Sequence, residues 1–393
     1  MFKCLKLVTV TLSVFLSGAG AAIAERSFIL NGIDNKVQIT TPGKIEFIEP
    51  GNDVVNILDI SDPAKPVLAV NLRLSNSLFG PPTNLQIAPD EALALVTSAV
   101  KWEQIDGKWN PSPDNRLFII DLETDTPALI DTLEVGRQPS GIAISSSGKF
   151  ALIANRADKS ISVVSIDGKV AKLVQTVAVD DEVAAVAITP NEDRALIVKN
   201  ASNKIGVLLI NGKYVTYEPT YDMPVGQFPY NIDISPDGSY AVVAHTGNGG
   251  RSDGHSDPLV TIRLDRGARP VVENYVTAGD APEAFAISPR GDIAIALLLG
   301  GDTILPAEHW AHKNPGEIVV FKTDGGNLQA IQKISTTGLP EGVAFSPDGE
   351  YVYVSSFGEK KLMVFRVDHQ SLIDTGIHVD LPGTPGSMRG RAR

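Results

Sequence analysis

Two glutamates occupy the same place in two similar segments of the chain. Glu283 follows Pro282 in PEAFAISPRGD, and Glu341 follows Pro340 in PEGVAFSPDGE. Two carboxyl groups can divide the roles of general acid and general base when burial raises the pKa of one of them. Hydrolysis or closure of a lactone ring would use such a pair. His245, which ends another of these segments, is a further candidate for catalysis.

Cationic and polar side chains beside the equivalent segments would complete such a site. Arginine guanidinium groups clamp carboxylates or phosphates and stabilise oxyanions. The candidate ligand-binding residues of this kind are Arg137, Asn155, Arg156, Tyr230 and Arg389. The alternative is structural. The arginines and glutamates would then pair with one another and make the site rigid, since structural ion pairs also perturb pKa values.

Histidine and aspartate are concentrated in two long polar stretches, HTGNGGRSDGHSDP and GGDTILPAEHWAHKNPG. Imidazole and carboxylate groups suit zinc or another divalent metal, and aspartate with backbone carbonyls suits calcium. The candidate ligands are His245, His255, Asp257, His309 and His312. Their spacing matches no established ligand signature. The sequence therefore favours solvated polar loops, with a divalent metal as the second interpretation and no other cofactor indicated.

The three tryptophans of the chain all lie in long polar stretches of this kind. They are Trp102, Trp109 and Trp310. Because loops carry function while a scaffold holds them, aromatic residues on loops are candidates for ligand binding. The alternative is that the tryptophans pin long loops to the surface beneath them.

A repeated unit of three short strands carries all of these residues. Its clearest copy, LPEGVAFSPDGEYVYVSSFGEKKLMVFRVD, starts at Leu339 and turns at SPDG, where proline presets φ and glycine takes the left-handed position. Copies of the unit start at Pro82, Pro139, Val183, Pro229, Pro282 and Pro340. Their spacing, about 44–58 residues, is that of the blades of a β-propeller.

Closure of the ring is predicted from the two ends of the chain. An outgoing strand, DVVNILDIS, begins at Asp53 before any inner hairpin, and a matching inner strand, PGSMRGRAR, begins at Pro385. We therefore predict an all-β, seven-bladed β-propeller of four-stranded blades that starts at about Gly43 and has a last blade closed by N- and C-terminal segments. Radial closure of this kind leaves no long unpaired edge.

This topology separates two faces. The loops that lead into the inner strands share one face with the connections between second and third strands, which we call the loop-rich face. The SPDG hairpins lie on the opposite face, which we call the turn face. The candidate residues should converge at the loop-rich face.

Arg389 occupies an inner-strand position at which most other units have a small residue. The equivalents are Ala143, Ala187, Asp233, Ala286 and Ala344. A long cation at such a position is unfavourable unless it reaches a polar space or a partner. We expect Arg389 either to reach the central channel or to form a fixed ion pair.

The first 24 residues are predicted to be a signal peptide. Lys3 and Lys6 precede an apolar run, and Ala22-Ile23-Ala24 is a small-residue cleavage site. Residues 25–393 should form one domain, exported to the periplasm or medium and monomeric. A formal net charge of −12 argues against non-specific nucleic-acid binding, and no phosphate loop, CxxC or HExxH occurs. No membrane span is predicted.

The segments SPDGEYVYVSS and SPDGSYAVVAH resemble the repeats of the YVTN-family β-propellers. The chain is similar, at the same level, to the lactonase-like seven-bladed group, which includes 6-phosphogluconolactonases and muconate-lactonising enzymes. This resemblance implies the fold. Propellers host enzymes, electron-transfer subunits and binding scaffolds, so function has to be argued from the site.

Three functions are consistent with the sequence. The first is an exported propeller that binds a small ligand or a periplasmic protein partner on its loop-rich face. The alternative is a lactonase-like hydrolase or cycloisomerase that acts on a carboxylated substrate in the central pocket. A subunit of a periplasmic redox or metal-handling system is the third, suggested by compartment and fold.

Overall fold

The computed structural model describes residues 26–76, 79–212, 214–249, 251–265, 267–336 and 338–393. Seven antiparallel four-stranded sheets stand in a ring with their first strands innermost, which confirms the predicted seven-bladed propeller. Within these ranges the one helical element is a 3-10 turn at Pro219–Tyr221, and no helix has the length and apolarity to cross a membrane. The predicted signal peptide lies outside the described residues.

One blade, here the closing blade, joins the two ends of the chain. Its sheet runs in the order β31–β1–β4–β5, with a separate hairpin β2–β3 inserted between its second and third strands. The strands of this region are β1 (Phe28–Ile33), β2 (Val37–Thr41), β3 (Lys44–Phe47), β4 (Val54–Asp59), β5 (Val67–Leu72) and, at the far end, β31 (Pro385–Arg389).

The other six blades follow one another along the chain. Blade 1 contains β6 (Leu85–Ile87), β7 (Leu93–Ile105), β8 (Lys108–Asp121) and β9 (Ala128–Glu134). Blade 2 contains β10 (Pro139–Ile144), β11 (Phe150–Asn155), β12 (Ser160–Asp167) and β13 (Val170–Ala178). Blade 3 contains β14 (Val186–Ile188), β15 (Arg194–Lys199), β16 (Lys204–Asn211), β17 (Tyr214–Tyr217) and β18 (Met223–Pro224).

Blades 4 to 6 complete the ring. Blade 4 contains β19 (Pro229–Ile234), β20 (Tyr240–His245), β21 (Asp257–Arg263) and β22 (Val271–Gly279). Blade 5 contains β23 (Pro282–Ile287), β24 (Ile293–Leu298), β25 (Gly316–Asp324) and β26 (Asn327–Thr336). Blade 6 contains β27 (Pro340–Phe345), β28 (Tyr351–Ser356), β29 (Lys361–Asp368) and β30 (Ser371–Asp380).

The hydrophobic core lies between neighbouring blades. One buried cluster joins Leu95 of blade 1 to Ile142 of blade 2, and another joins Ile197 of blade 3 to Leu152 of blade 2. Since each sheet buries both of its faces against its neighbours, its middle strands are nearly continuous runs of Val, Ile, Leu and Ala. The SPDG turns close as expected: the Asp348 side chain accepts a hydrogen bond from the Glu350 amide (2.9 Å), and Gly349 has φ +71°.

Two features differ from the sequence prediction. The first blade strand is β1, so the ring begins at Phe28 rather than at about Gly43. This strand has no SPDG turn, and its inner neighbour comes from the other end of the chain, with Leu30 opposite Arg389. The long connection in blade 1 is not an irregular loop but an extension of β7 and β8, paired as far as Ile105 and Lys108.

Four blades carry long connections on the loop-rich face. They are blades 1, 4 and 5 and the closing blade, whose connection contains the hairpin β2–β3. Its root is held by the buried Lys36, which pairs with Asp34 and Asp53. The connections of the closing blade and of blades 1 and 5, with neighbouring segments, form an apolar cluster that we call the cap. Its members are Val37, Ile39, Phe79, Trp102, Ala281, Leu299, Ile304, Leu339 and Phe357.

The cap does not cover the whole ring. It draws on the closing blade and on blades 1, 5 and 6, whereas blades 2 and 3 have short connections at residues 156–159 and 200–203. The mouth of the central channel is therefore bridged on one side and left open beside blades 2 and 3.

Candidate active site in the central channel

The inner strands of blades 4, 5 and 6 share an irregularity at their loop-rich ends. The pairing of the first two strands slips at Tyr230, at Glu283 and at Glu341, each directly after the proline that starts the strand. A β-bulge re-aims the side chain of the extra residue and is common beside active sites. Three consecutive blades thus present a phenol and two carboxyl groups at one level of the channel.

Both glutamates are buried at the mouth of the channel, with exposed fractions of 7% and 2%. Burial raises the pKa of Glu283 to about 8. Burial also raises the pKa of Glu341 well above its usual value, and the nearby charge of Glu283 raises it further. Because a second negative charge is repelled by the first, the pair retains a proton at neutral pH. Within the described ranges, neither glutamate lies within ion-pair distance of an arginine, which speaks against the structural alternative.

Tyr230 and Arg156 belong to the same electrostatic group. The pKa of Tyr230 is raised mainly by burial and then by the charge of Glu283, while the cation of Arg156 acts in the opposite direction. The Tyr230 ring stacks on Phe228 at 6.1 Å between ring centroids. Arg156 lies on the short connection of blade 2, so its half-buried guanidinium stands at the open side of the mouth.

Several polar atoms at this level have no protein partner. Glu341 Oε2 and Arg156 Nε are buried, and neither has a hydrogen-bond partner among the described residues. The same holds for the hydroxyls of Thr83, two residues before β6, and of Ser387 on β31. Buried polar groups are normally satisfied, so a cluster of unpartnered atoms marks a place where water or a polar ligand binds.

Two of the predicted ligand-binding residues have structural roles. Asn155 is buried, and its side-chain amide donates to the hydroxyls of Ser160 (3.1 Å) and Ser162 (2.9 Å). Arg137 is largely exposed and pairs with Asp158 at 2.7 Å. Both residues lie on the loop-rich face as expected, but the Asn155 amide nitrogen and the Arg137 guanidinium bind within the protein, which leaves the buried Asn155 Oδ1 without a partner among the described residues.

His245 is at the position equivalent to Asn155, opposite Pro229 at the end of β20. It is fully buried, and burial lowers its pKa to about 4, so the imidazole is neutral at pH 7. Its ring packs against Gly226, where a Cβ atom would lie 3.0 Å from the ring. Neither glutamate is among the groups that influence the pKa of His245, so the structure does not join it to them.

The predicted metal ligands are distributed over separate contacts. His312 Nδ1 is 2.8 Å from the Leu305 carbonyl, and His309 Nδ1 accepts from the Ala311 amide. Asp257 accepts from the Ala281 amide, and burial raises its pKa to about 6. Across the described residues no group of three or more His, Cys, Asp or Glu side chains is arranged to hold a metal ion.

The tryptophans are found in three different settings on the second-to-third connections. Trp102 packs in the cap, with its ring 4.9 Å from Phe47. Trp109 is half-buried and pairs with Gln104 in the extended β-ribbon of blade 1. Trp310 is 66% exposed and lies between the imidazoles of His255 and His309, at 5.6 and 5.8 Å.

Arg389 lies deeper in the channel, towards the turn face, rather than at the loop-rich mouth. The seven equivalent inner-strand positions border one cavity there, which confirms that Arg389 reaches the channel. They are Gln86, Ala143, Ala187, Asp233, Ala286, Ala344 and Arg389. The fixed ion pair expected as the alternative is made instead by Arg393, whose guanidinium binds Asp233 at 2.8 Å.

Sequence reasoning missed three contributors to this arrangement. Arg393 and Gln86 border the channel, and the hairpin β2–β3 covers one side of its mouth. Gln86 could have been found, because it fills the Arg389 position in the weakest repeat. The hairpin carries no repeat signal, and its place over the mouth depends on contacts with distant parts of the chain.

Comparison with known proteins agrees with this fold. Residues 119–228 match the family model described as "Lactonase, 7-bladed beta-propeller", a stretch that includes Arg156 but neither glutamate. No curated protein sequence matches the chain.

Solved structures extend the similarity to nearly the whole chain. The periplasmic gluconolactonase of Pseudomonas aeruginosa is 18% identical with a TM-score of 0.67, covering 93% of this chain and 99% of that one. A candidate 6-phosphogluconolactonase from Bacteroides uniformis is 15% identical with a TM-score of 0.68 and the same coverage. Hydrazine synthase of Kuenenia stuttgartiensis is 18% identical with a TM-score of 0.60, covering 80% and 90%. In fold, the chain is a seven-bladed β-propeller similar to these solved structures.

Proposed function

We propose that this protein hydrolyses a lactone at the loop-rich mouth of its central channel. The observation that carries the proposal is the buried pair Glu283 and Glu341, which keeps a proton at neutral pH and has no cationic partner within ion-pair distance in the described part of the chain. The lactonase-like fold supports the same reaction class.

The chemistry follows from the proton that the pair retains. When one glutamate is ionised, its carboxylate takes a proton from water as the water oxygen attacks the lactone carbonyl, and the protonated glutamate donates its proton to the ring oxygen as the C–O bond breaks. Arg156, at the open side of the mouth, is placed to bind the carboxylate of a substrate or the developing oxyanion. Tyr230, whose raised pKa keeps its phenol protonated, is a further hydrogen-bond donor.

The test measures the hydrolysis of a panel of lactones, including gluconolactone, through the acid that the reaction releases. The variants Glu283→Gln and Glu341→Gln should each lower kcat by about 100-fold or more, because amides cannot transfer the proton. Glu134→Gln, at an exposed position on β9, is the matched control and should be unaffected. Absence of turnover over the whole panel, or full activity in both channel variants, would overturn the proposal.

Binding of a ligand or protein partner on the loop-rich face is the second candidate function. It is favoured by Trp310, an exposed indole between two imidazoles. Such a platform suits stacking or cation–π contact with a ligand. A change in tryptophan fluorescence on adding a ligand, lost in Trp310→Ala and kept in Trp109→Phe, would support binding here. Equal responses in both variants would exclude Trp310.

We also propose that the protein is a monomer exported to the periplasm or the medium. The sequence of the first 24 residues supports export, and one structural neighbour is itself described as periplasmic. Expression of the full chain followed by fractionation should give a product beginning at Glu25 outside the cytoplasm. Recovery of uncleaved chain from the cytoplasm would contradict export, and a dimer by light scattering would contradict the monomer.

A further inference from the structure

The central channel contains a second candidate site. It lies at the turn face, whereas the glutamates lie at the loop-rich face. The cavity there has a volume of about 470 Å³. This lies within the range of small-molecule pockets in proteins, about 300–1,000 Å³. Its walls are the turn-face halves of the inner strands together with the segment 390–393, which crosses beside β6 with Arg391 paired to Ile87.

At the level of the inner strands the cavity wall is largely apolar and made of small side chains. Four of the seven equivalent inner-strand positions are alanine, and the neighbouring wall residues include Val343 and Ile144. The small side chains leave the volume open where larger ones would fill it. A ligand of this cavity therefore has an apolar body.

The acidic group in the wall is already satisfied. The Asp233 carboxylate accepts hydrogen bonds from the amides of Ile234 and Ile287, both at 2.9 Å, and from the Arg393 guanidinium at 2.8 and 3.0 Å. These contacts neutralise its charge and occupy both of its oxygens. Asp233 is not available as the counterion of a second cation.

Arg389 is the cation left without a counterion. Its one hydrogen bond to the described residues runs to the Ile142 carbonyl at 2.9 Å, and no carboxylate among them lies within ion-pair distance. A guanidinium has five donors, so most of them remain for another group. The lining contains three arginines and one aspartate, but Arg393 pairs with Asp233 and Arg391 pairs with Glu91 at 3.6 Å, which leaves Arg389 as its unpaired cation.

A second cavity of about 30 Å³, room for about one water molecule, lies beside Arg389 and Met388. Neither glutamate lines either of these two cavities. A ligand in the large cavity therefore lies apart from the glutamate pair.

We propose that the turn-face cavity binds a small monoanionic carboxylate with an apolar body, whose carboxylate is held by Arg389. This site is separate from the lactone site and does not depend on it. The single unpaired guanidinium matches a monoanion, and the alanine wall receives the apolar part of the ligand.

Benzoate is the probe for this site, and its binding is measured by titration calorimetry at low salt. We expect one benzoate per chain and an affinity at least tenfold higher than that of benzyl alcohol, the neutral analogue. Arg389→Gln should weaken benzoate binding at least tenfold. Arg366→Gln, an exposed arginine on β29, and Arg156→Gln, at the loop-rich mouth, should bind benzoate as the unmodified chain does.

Three results would overturn the proposal. The first is equal affinity of the unmodified chain for benzoate and benzyl alcohol, a comparison that needs no folded variant. The second is loss of binding in Arg156→Gln with binding kept in Arg389→Gln, which would move the anion to the loop-rich mouth. The third is tighter binding of inorganic phosphate than of benzoate, which would show that the ligand needs no apolar body. Lactone turnover in Arg389→Gln stays unchanged, so failure here and failure of the proposed hydrolysis are distinguishable.

Discussion

The two ends of the central channel are built from the same strands but have opposite chemistry. At the loop-rich face, a bulge at the start of each inner strand presents Glu283 and Glu341, whose charges have no cationic partner within ion-pair distance among the described residues. At the turn face, three positions further along the repeat, the corresponding level carries Arg389 and otherwise mostly alanine. One end favours a retained proton and the other favours a bound anion.

This difference shows how a repeat protein places different chemistry at the two ends of one channel. Backbone hydrogen bonds fix the strands in every blade, so a side chain at a given repeat position reaches the same level of the channel in each. Substitutions at the first position after the inner proline change one end, and substitutions three residues later change the other. The ends can then be tested independently.

The largest expected effect is on stability against pH at the loop-rich end. The pKa of Glu283 is raised to about 8 in the folded protein, against 4.5 for a free side chain. The folded state therefore holds a proton that the unfolded state releases, so this contribution is complete below about pH 4.5 and is lost as the pH rises through about 8. Glu283→Gln should be more stable than the unmodified chain at pH 9 by up to about 4 kcal/mol, and equally stable at pH 4.5.

Thermal unfolding at both pH values measures this effect. Glu134→Gln, which replaces an exposed glutamate, should leave the pH dependence of Tm unchanged. The same Tm difference between Glu283→Gln and the unmodified chain at pH 4.5 and pH 9 would show that Glu283 ionises normally, and the contrast between the two ends would be lost.

The second prediction asks whether the two arginines act at separate ends. Arg156→Gln should lower kcat/KM for a lactone by about 100-fold, since removing one donor from a developing oxyanion has effects of this size. Arg389→Gln should change kcat/KM by less than about threefold. Steady-state kinetics measures both. A similar loss in the two variants would mean that the channel works as one site.

A third, smaller effect concerns Asp257, which holds the backbone that leads into the Glu283 strand. Its carboxylate accepts from the Ala281 amide at 3.0 Å, and burial raises its pKa to about 6. Because the folded protein holds this proton more tightly, the contribution to stability is complete below about pH 3.8 and is lost as the pH rises through about 6. Asp257→Asn, whose amide oxygen can still accept, should gain about 1 kcal/mol at pH 8 relative to pH 4.

Chemical denaturation at the two pH values measures that change. Asp374→Asn, on the outer strand of blade 6, is a control and should show no such pH dependence. A gain of stability that is equal at pH 4 and pH 8 would contradict the raised pKa of Asp257.

The smallest effect is expected at Phe47, which contacts Trp102 of the cap. Phe47 is 42% exposed, with its ring 4.9 Å from Trp102, so Phe47→Ser should lower stability by about 0.5 kcal/mol and shift the Trp102 emission to the red. Ile45→Ser alters a more exposed residue of the same hairpin and should leave the emission unchanged. Fluorescence of a chain with Trp109 and Trp310 replaced by phenylalanine reports on Trp102 alone. An unshifted spectrum in Phe47→Ser would contradict the aromatic contact.

Most of the residue types in the candidate site could be predicted from the sequence. Their arrangement in space could not. The equivalence of Glu283 and Glu341 can be recognised in the sequence because both follow the first proline of a repeat. Tyr230 has the same place in blade 4, yet its grouping with them depends on the slip in strand pairing, which leaves no mark in the sequence. Asn155 and Arg137 are equally suitable by residue type, but the Asn155 amide nitrogen binds Ser162 and the Arg137 guanidinium binds Asp158.

The sequence by itself determined the number of blades, the closure of the ring by β31 and the small-residue level that Arg389 interrupts. These features depend on local turns and on strand alternation, which are written in each repeat. The tertiary structure alone decided that β1 and the β2–β3 hairpin join the closing blade. It also decided that Arg393 pairs with Asp233, which leaves Arg389 unpaired, and that the cap covers one side of the mouth. The physical reason is that these contacts join residues far apart in the chain, and their energy depends on burial that exists only after the ring has closed.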